Sequence, residues 1–265
     1  MSPRLLALAF ASAACAPSVS KPMPPSAPAP AAPAPAAAHP DIVQAGDPVL
    51  RSPAAALAVE RIPTPEIQEL VDRMIATMRA APGVGLAAPQ LGVPLRILVL
   101  EDRANLMARL TPAELRERER VELPVHVFIN PVLRPIGDDK RTFFEGCLSV
   151  HGYTALVERH AEVEVTGLDR RGQPQTLRVR GWPARILQHE VDHLDGTLYV
   201  DRMLTRSFST GDQARARHAG RPIADILAEI LPLSRLHARV PRGASCQSMT
   251  DLPRRVLCKH RGATT

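Results

Sequence analysis

A chain of 265 residues with 45% hydrophobic side chains has enough apolar material for a buried core, and its formal charge of +6 invites a nucleic-acid reading. The excess charge is confined to the ends: residues 235–265 carry seven Lys or Arg against one Asp, residues 1–40 carry Arg4 and Lys21 with no acid, and the stretch between is slightly acidic. That distribution removes the charge-based case for DNA or RNA binding by the folded body, and four cysteines (Cys15, Cys147, Cys246, Cys258) in so long a chain exclude a disulfide framework.

Arg4 precedes an apolar run of small residues ending at Cys15, about half the length that a membrane-spanning helix needs. Three readings stand for it: a secretory signal with a cleavage or lipid-attachment site, an organelle transit peptide, or a start codon placed too early. Residues 16–40 are rich in Ala and Pro and are expected to form an extended, disordered linker, so that residues 1–41 make one low-complexity unit. Order is expected from Ile42. Thr64-Pro65-Glu66 predicts a helix start, with Thr64 as N-cap and Pro65 at the first helical position. Ile67, Leu70, Val71, Met74, Ile75 and Met78 follow at helical spacing on one face, and Pro82-Gly83 ends the helix.

Leu95–Leu100 predicts a short strand. Thr111-Pro112-Ala113-Glu114 carries a capping-box pattern that opens a segment to Val121 too charged for a core helix, hence a surface insertion. A strand is expected over Val125–Ile129, with Asn130-Pro131 turning out of it. Alternation returns over Ala161–Thr166 and Thr176–Arg180, with Asp169–Gly172 as the hairpin turn between them. A further helix runs from Trp182-Pro183 to about Leu194. After Arg206 one amphipathic helix, Ile223–Leu231, is expected in an otherwise aperiodic, disordered tail. Because helices and strands do not alternate regularly, the fold class is α+β, with antiparallel strands packed around a central helix.

That central helix carries His189-Glu190-Val191-Asp192-His193. Positions four apart share a helix face, so both imidazoles reach one metal ion while Glu190, one position along, can touch a water without being a ligand. A polar surface helix is the bland alternative, but Ile186, Leu187, Val191 and Leu194 make the surroundings apolar, and buried imidazoles need a partner. A third ligand must come from elsewhere, since Thr197, Leu198 and Tyr199 follow Gly196 where a metzincin would place a third His. Cys147, in Glu145-Gly146-Cys147-Leu148-Ser149, is the candidate, although a free Cys is more often a small buried hydrophobe. Gly83-Val84-Gly85-Leu86-Ala87-Ala88-Pro89-Gln90 is by itself only a helix end and a turn, and it lacks the Lys-Ser/Thr of a phosphate loop.

Taken together and in order, these three segments resemble the motifs of the peptide deformylase family, G-x-G-x-A-A-x-Q, E-G-C-L-S and Q-H-E-x-x-H-L-x-G, over residues 42–210. Gly46–Leu50, Gly181-Trp182 and Ala184–Ile186 look most like its organelle-type branch. The resemblance implies a catalytic domain at 42–210; nothing in the family accounts for residues 1–41 or for the basic extension at 211–265, which is expected to be mostly disordered with one short helix. It implies one divalent metal on Cys147, His189 and His193, iron(II) first with zinc, nickel or cobalt as alternatives. Glu190 would be the general base, the Gln90 amide and the Leu148 N–H would face the developing negative oxygen, and Gly85 would border the strand-like substrate track. Val84, Phe143 and Trp182 are placed around the methionine pocket by alignment to the motifs. The implied substrates are N-formylmethionyl nascent peptides, with no DNA and no membrane span; separately, the basic residues 235–265 offer the ribosome as a partner, against the plainer reading of a solvated or mistranslated extension. Such substrates arise in bacterial cytosol or organelles, which favours the cytoplasm over export. Two other readings remain. A zinc endopeptidase shares the His-Glu-x-x-His segment but leaves Cys147 and Gln90 unexplained, and a non-enzymatic protein docked on ribosomal RNA leaves Glu190 unexplained.

Overall fold

Thr64 and Pro65 do open a helix, α1 (Pro65–Ala80), although the Thr64 hydroxyl donates back to the Arg61 carbonyl at 2.7 Å rather than capping the helix. The protein is described here by a computed structural model covering residue 39, residues 41–108 and residues 110–231. The expected N-terminal linker (save residues 39 and 41), Cys15, Cys246, Cys258 and the basic segment 235–265 lie outside the described residues.

The chain then runs through β1 (Gly85–Ala87), β2 (Ile97–Asp102), α2 (Ala104–Met107), α3 (Pro112–Glu117), β3 (Leu123–Pro135), β4 (Lys140–Cys147), β5 (Val150–His160), β6 (Glu162–Leu168) and β7 (Pro174–Arg180). It continues through α4 (Trp182–Leu194), α5 (Tyr199–Arg202), β8 (Ser209–Thr210), α6 (Gly211–His218) and α7 (Ile223–Ile230). The strands form two antiparallel sheets, one in the order β1-β2-β3-β6-β7 and one in the order β4-β5-β8. The architecture is α+β, as expected. No helix among the described residues is long and apolar enough to cross a membrane.

Strand β2 explains how the first sheet is held. Ile97 and Val99 face one apolar cluster with α1 residues Ile67, Val71, Met74 and Met78, whereas Leu98 and Leu100 face another with α4 residues Ala184, Leu187 and Leu194. A strand covered on both faces must be apolar throughout, which is why its sequence shows a run rather than alternation. Helix α4 meets both sheets. Its apolar side packs on the first, and its polar side enters the second through Arg185, Gln188, His189 and Asp192. The central helix of the sequence reading is therefore buried on two sides, one greasy and one ionic.

Three local differences have physical causes. Strand β3 does not turn out at Asn130 but passes through it to Pro135. Asn130 takes a left-handed φ of 52°, the register shifts between Ile129 and Val132, and its side-chain amide bonds both the N–H and the carbonyl of Leu57 at 2.8 Å. Asn tolerates that conformation and its amide mimics a backbone partner, so a residue expected to end the strand bulges it instead. The β4–β5 hairpin was not anticipated, because Glu145 and Arg159 are buried in it and interrupt the apolar alternation. Helix α6 was also missed. It buries only Ala214, and it starts on the Thr210 hydroxyl, which accepts from the Gln213 N–H at 3.3 Å. The hairpin turn, the α3 capping box, the span of α4 and helix α7 stand where the sequence places them. Asp169 accepts from the Arg171 and Gln173 N–H groups, the Thr111 hydroxyl accepts from the Glu114 N–H at 3.2 Å, and the Glu114 carboxylate accepts from the Thr111 N–H at 2.8 Å.

Candidate metal centre

Helix α4 projects His189 and His193 from adjacent turns toward the end of β4, where Cys147 stands. The ligand atoms of the three residues all lie within 4.8 Å of one another, and Cys147 Sγ is 3.2 Å from His193 Nε2. A bulge places Cys147 there, because the β4–β5 register slips between Gly146 and Cys147. A thiol and two imidazoles are the soft and borderline donors that suit zinc, iron, nickel or cobalt, and three protein ligands leave a coordination position free. The environment fits a cation as well. Burial and the neighbouring His189 hold His193 well below the usual imidazole pKa, so it is a neutral donor.

His189 is oriented from behind. Its Nδ1 lies 3.0 Å from Glu145 Oε2, which leaves Nε2 as the ring nitrogen for a metal. Burial works against the His189 cation, yet its bonds to Cys147 and Glu145 carry its pKa well above the usual value, so a cation must displace a proton to bind. Burial alone would protonate Glu145, but His189 and Arg159 hold its carboxyl below the usual range. Arg159 grips both Glu145 oxygens at 3.0 Å and also pairs with Asp192, which Arg202 binds at 2.7 Å through two nitrogens. Arg185 closes the other side of Glu145 and donates to the Val157 carbonyl at 3.0 Å. Sequence reasoning missed Glu145, Arg159, Arg185, Asp192 and Arg202. The available signal was the presence of charges inside the elements that otherwise read as buried.

Glu190 points away from that network. It is buried, its Oε2 has no hydrogen-bond partner, and burial, opposed by the His189 charge, pushes its carboxyl up to about 7. A carboxyl that titrates near neutrality can both take and return a proton. Gly85 is the floor beneath it: a Cβ on Gly85 would lie 2.2 Å from Glu190 Oε1 and 2.7 Å from its Cδ. Gly85→Ala should therefore displace the carboxylate and lower turnover about 10²-fold, the scale of a misplaced reacting group, with bound metal unchanged. Formate release measured beside metal content checks this, and wild-type turnover would show that the close approach is not needed.

Gln90 is buried with its amide set by a bond from the Ala87 N–H to Oε1 at 2.9 Å. Its Nε2 thereby faces the metal ligands, 3.7 Å from Cys147 Sγ and 3.3 Å from Ser149 Oγ. Leu148 occupies the turn after Cys147, and its carbonyl accepts from Gln44 Nε2 at 3.0 Å. Val84 and Trp182 border the same apolar cluster, and the Phe143 ring meets Trp182 edge-on at 6.3 Å. Phe143 and Trp182 meet at the start of α4, about 10 Å along the helix from His189, whereas Val84 directly precedes Gly85, which lies against Glu190.

The model for polypeptide deformylase matches residues 40–208. Peptide deformylase 1A, chloroplastic, of Solanum lycopersicum is 53% identical over 173 residues, which are 65% of this chain and 62% of that protein. The chloroplastic/mitochondrial form of Arabidopsis thaliana is 52% identical over 173 residues, 65% of this chain and 64% of that protein. The chain thus spans less than two thirds of the length of these relatives. Among solved structures, the Met-Ala-Ser-bound class I type b peptide deformylase of Acinetobacter baumannii superposes with a TM-score of 0.55 at 33% identity, over 61% of this chain and 96% of that one.

Proposed function

Because this chain belongs to the polypeptide deformylase family, we propose that it hydrolyses the N-formyl group from the N-terminal methionine of newly made polypeptides and releases formate. The observation that carries the reading is the convergence of Cys147, His189 and His193 within 4.8 Å, beside a buried Glu190 oxygen that nothing else engages. A divalent cation held by those three residues, iron(II) first and zinc, nickel or cobalt as substitutes, supplies Lewis acidity that brings a water toward ionisation near neutral pH.

The residues of the chain do the rest. Glu190 takes the proton from the attacking water and hands it to the departing amine, which its pKa near neutrality suits. The Gln90 amide and the Leu148 N–H donate to the oxygen of the formyl group as it becomes negative; such a donor is typically worth ~10²–10³ in turnover. The peptide backbone adds beside β1, the edge strand that contains Gly85. Val84, Phe143 and Trp182 receive the methionine side chain. A relative solved with Met-Ala-Ser supports a substrate of this kind.

The test is direct. Purified protein loaded with iron(II) or nickel should release formate from formyl-Met-Ala-Ser, and cleavage of internal peptide bonds without formate would overturn the reading in favour of an endopeptidase. The basic segment 235–265 supports a ribosomal partner, and a formylated nascent chain supports a cytoplasmic site of action. Deletion after residue 234 should leave peptide turnover intact and reduce co-sedimentation with ribosomes; unchanged co-sedimentation removes the ribosomal partner.

A further inference from the structure

Cys147 and Val150 face each other across the end of the β4–β5 hairpin, so Leu148 and Ser149 alone make its turn. Neither takes a positive φ, whereas the two-residue turns that match the twist of a hairpin need one. The peptide group joining Leu148 to Ser149 is the centre of that turn, where no sheet partner fixes it, and turn types differ by rotation of this one plane. Its two ends point at different groups. The Ser149 N–H donates to Cys147 Sγ at 3.4 Å, and the Leu148 carbonyl accepts from Gln44 Nε2 at 3.0 Å.

Gln44 stands 104 positions before Leu148 and belongs to none of the three motifs. It is half-buried, and both polar atoms of its amide are engaged. Nε2 also donates to the Ile42 carbonyl at 3.1 Å, and Oε1 accepts from the His151 N–H at 3.3 Å. The amide thus grips the turn on either side of Ser149. The residues beside Gln44 reach the same place through the backbone. The Ala45 N–H donates to the Ser149 carbonyl at 2.7 Å, and the Val43 N–H donates to the Gln90 carbonyl at 3.0 Å. Ile42 anchors this strap in the apolar cluster against which the Leu148 side chain also packs. One short segment therefore bonds to both residues assigned as donors to the formyl oxygen, Gln90 and Leu148.

We propose that Gln44 is a positioning residue of the metal centre: its grip on the Leu148 carbonyl fixes the Leu148–Ser149 peptide, which keeps the Ser149 N–H on the Cys147 sulfur and the Leu148 N–H turned toward the substrate oxygen. Gln44 makes no bond to the metal ligands and acts through this one peptide. A peptide whose carbonyl accepts a hydrogen bond donates more strongly through its N–H, so the grip also strengthens the contact to sulfur. Donors to a ligand tune the metal which that ligand holds. The effect on turnover rests on the hydrolytic reading, whereas the hold on the sulfur does not.

The test uses the full chain loaded with cobalt(II). Gln44→Met keeps the length of the side chain and removes all three bonds. Gln44→Glu keeps the acceptor for His151 and removes only the donors, which preserves the comparison if the Met variant does not fold. Both should move the sulfur-to-cobalt charge-transfer band to longer wavelength, with metal content as in wild type. Their kcat for formate release from formyl-Met-Ala-Ser should fall about 10–10²-fold, the scale of a misplaced group, and KM should stay within about twofold, because the oxygen becomes negative only in the transition state. A mere anchor for the N-terminal segment would lower the melting temperature and leave band and kcat at wild-type values, which overturns the proposal. A fall in kcat with an unmoved band overturns it too, as does a moved band with unchanged kcat. If wild type releases no formate while the band still moves in the variants, the hydrolytic reading fails and the hold on the sulfur stands.

Discussion

Glu190→Gln is expected to lower formate release by about 10²–10⁴-fold, the usual worth of a positioned general base. The substitution keeps the size and the apolar surroundings of the side chain but removes a carboxylate able to accept and return a proton. Glu190 is not in the cluster formed by Cys147, His189 and His193; its Oε2 is unpartnered, and Gly85 leaves room for the carboxylate by lacking a Cβ. Metal content should therefore stay near that of wild type, and stability should not fall, because an amide costs less to bury than a carboxylate that burial already pushes up to about 7. Formate assays paired with metal analysis and thermal unfolding separate these effects. Loss of metal in step with activity would make Glu190 a ligand, and retained turnover would remove it from the proton path.

Cys147→Ser should break the centre by a different route. A hydroxyl does not ionise near neutral pH, so serine offers a weak neutral oxygen where cysteine offers a thiolate. The thiol is stabilised in place by the Ser149 N–H at 3.4 Å and the Gln90 amide at 3.7 Å, donors that suit a negative sulfur. Losing an outer partner of a ligating His typically costs about 10–100-fold in metal affinity, so losing the ligand itself should cost more than that. Competition with a chelator reads the affinity, and turnover should follow occupancy. If the serine variant holds metal as tightly as wild type, the sulfur is no ligand. Glu190→Gln and Cys147→Ser thus dissociate: the first spares the metal and loses chemistry, the second loses both together.

The contrast between the two variants mirrors what was legible in the residues alone. The four-residue spacing of His189 and His193, with Glu190 between, is enough to aim two nitrogens and a carboxyl at one place, because helix geometry is local. Helix α1, the Asp169–Gly172 turn and the capping box at Thr111 were legible for the same reason: each is decided by interactions within a few residues. The pairing of Cys147 with that helix was carried by motif resemblance, since nothing local says which thiol, 42 residues before His189 in the chain, meets it.

What tertiary structure decided was the surroundings. Only the packing of α4 against β1, β4 and β5 shows that Glu145 fixes the His189 ring, that Arg159 and Asp192 extend the network behind it, and that Gly85 underlies Glu190. It also turned Asn130 from a strand end into a bulge. The chain by itself determined the periodicities, the caps and the pair of imidazoles, because those depend on neighbours along the backbone. The folded body determined which charges are buried and what faces them, because desolvation and Coulomb interaction act through space between segments far apart in sequence.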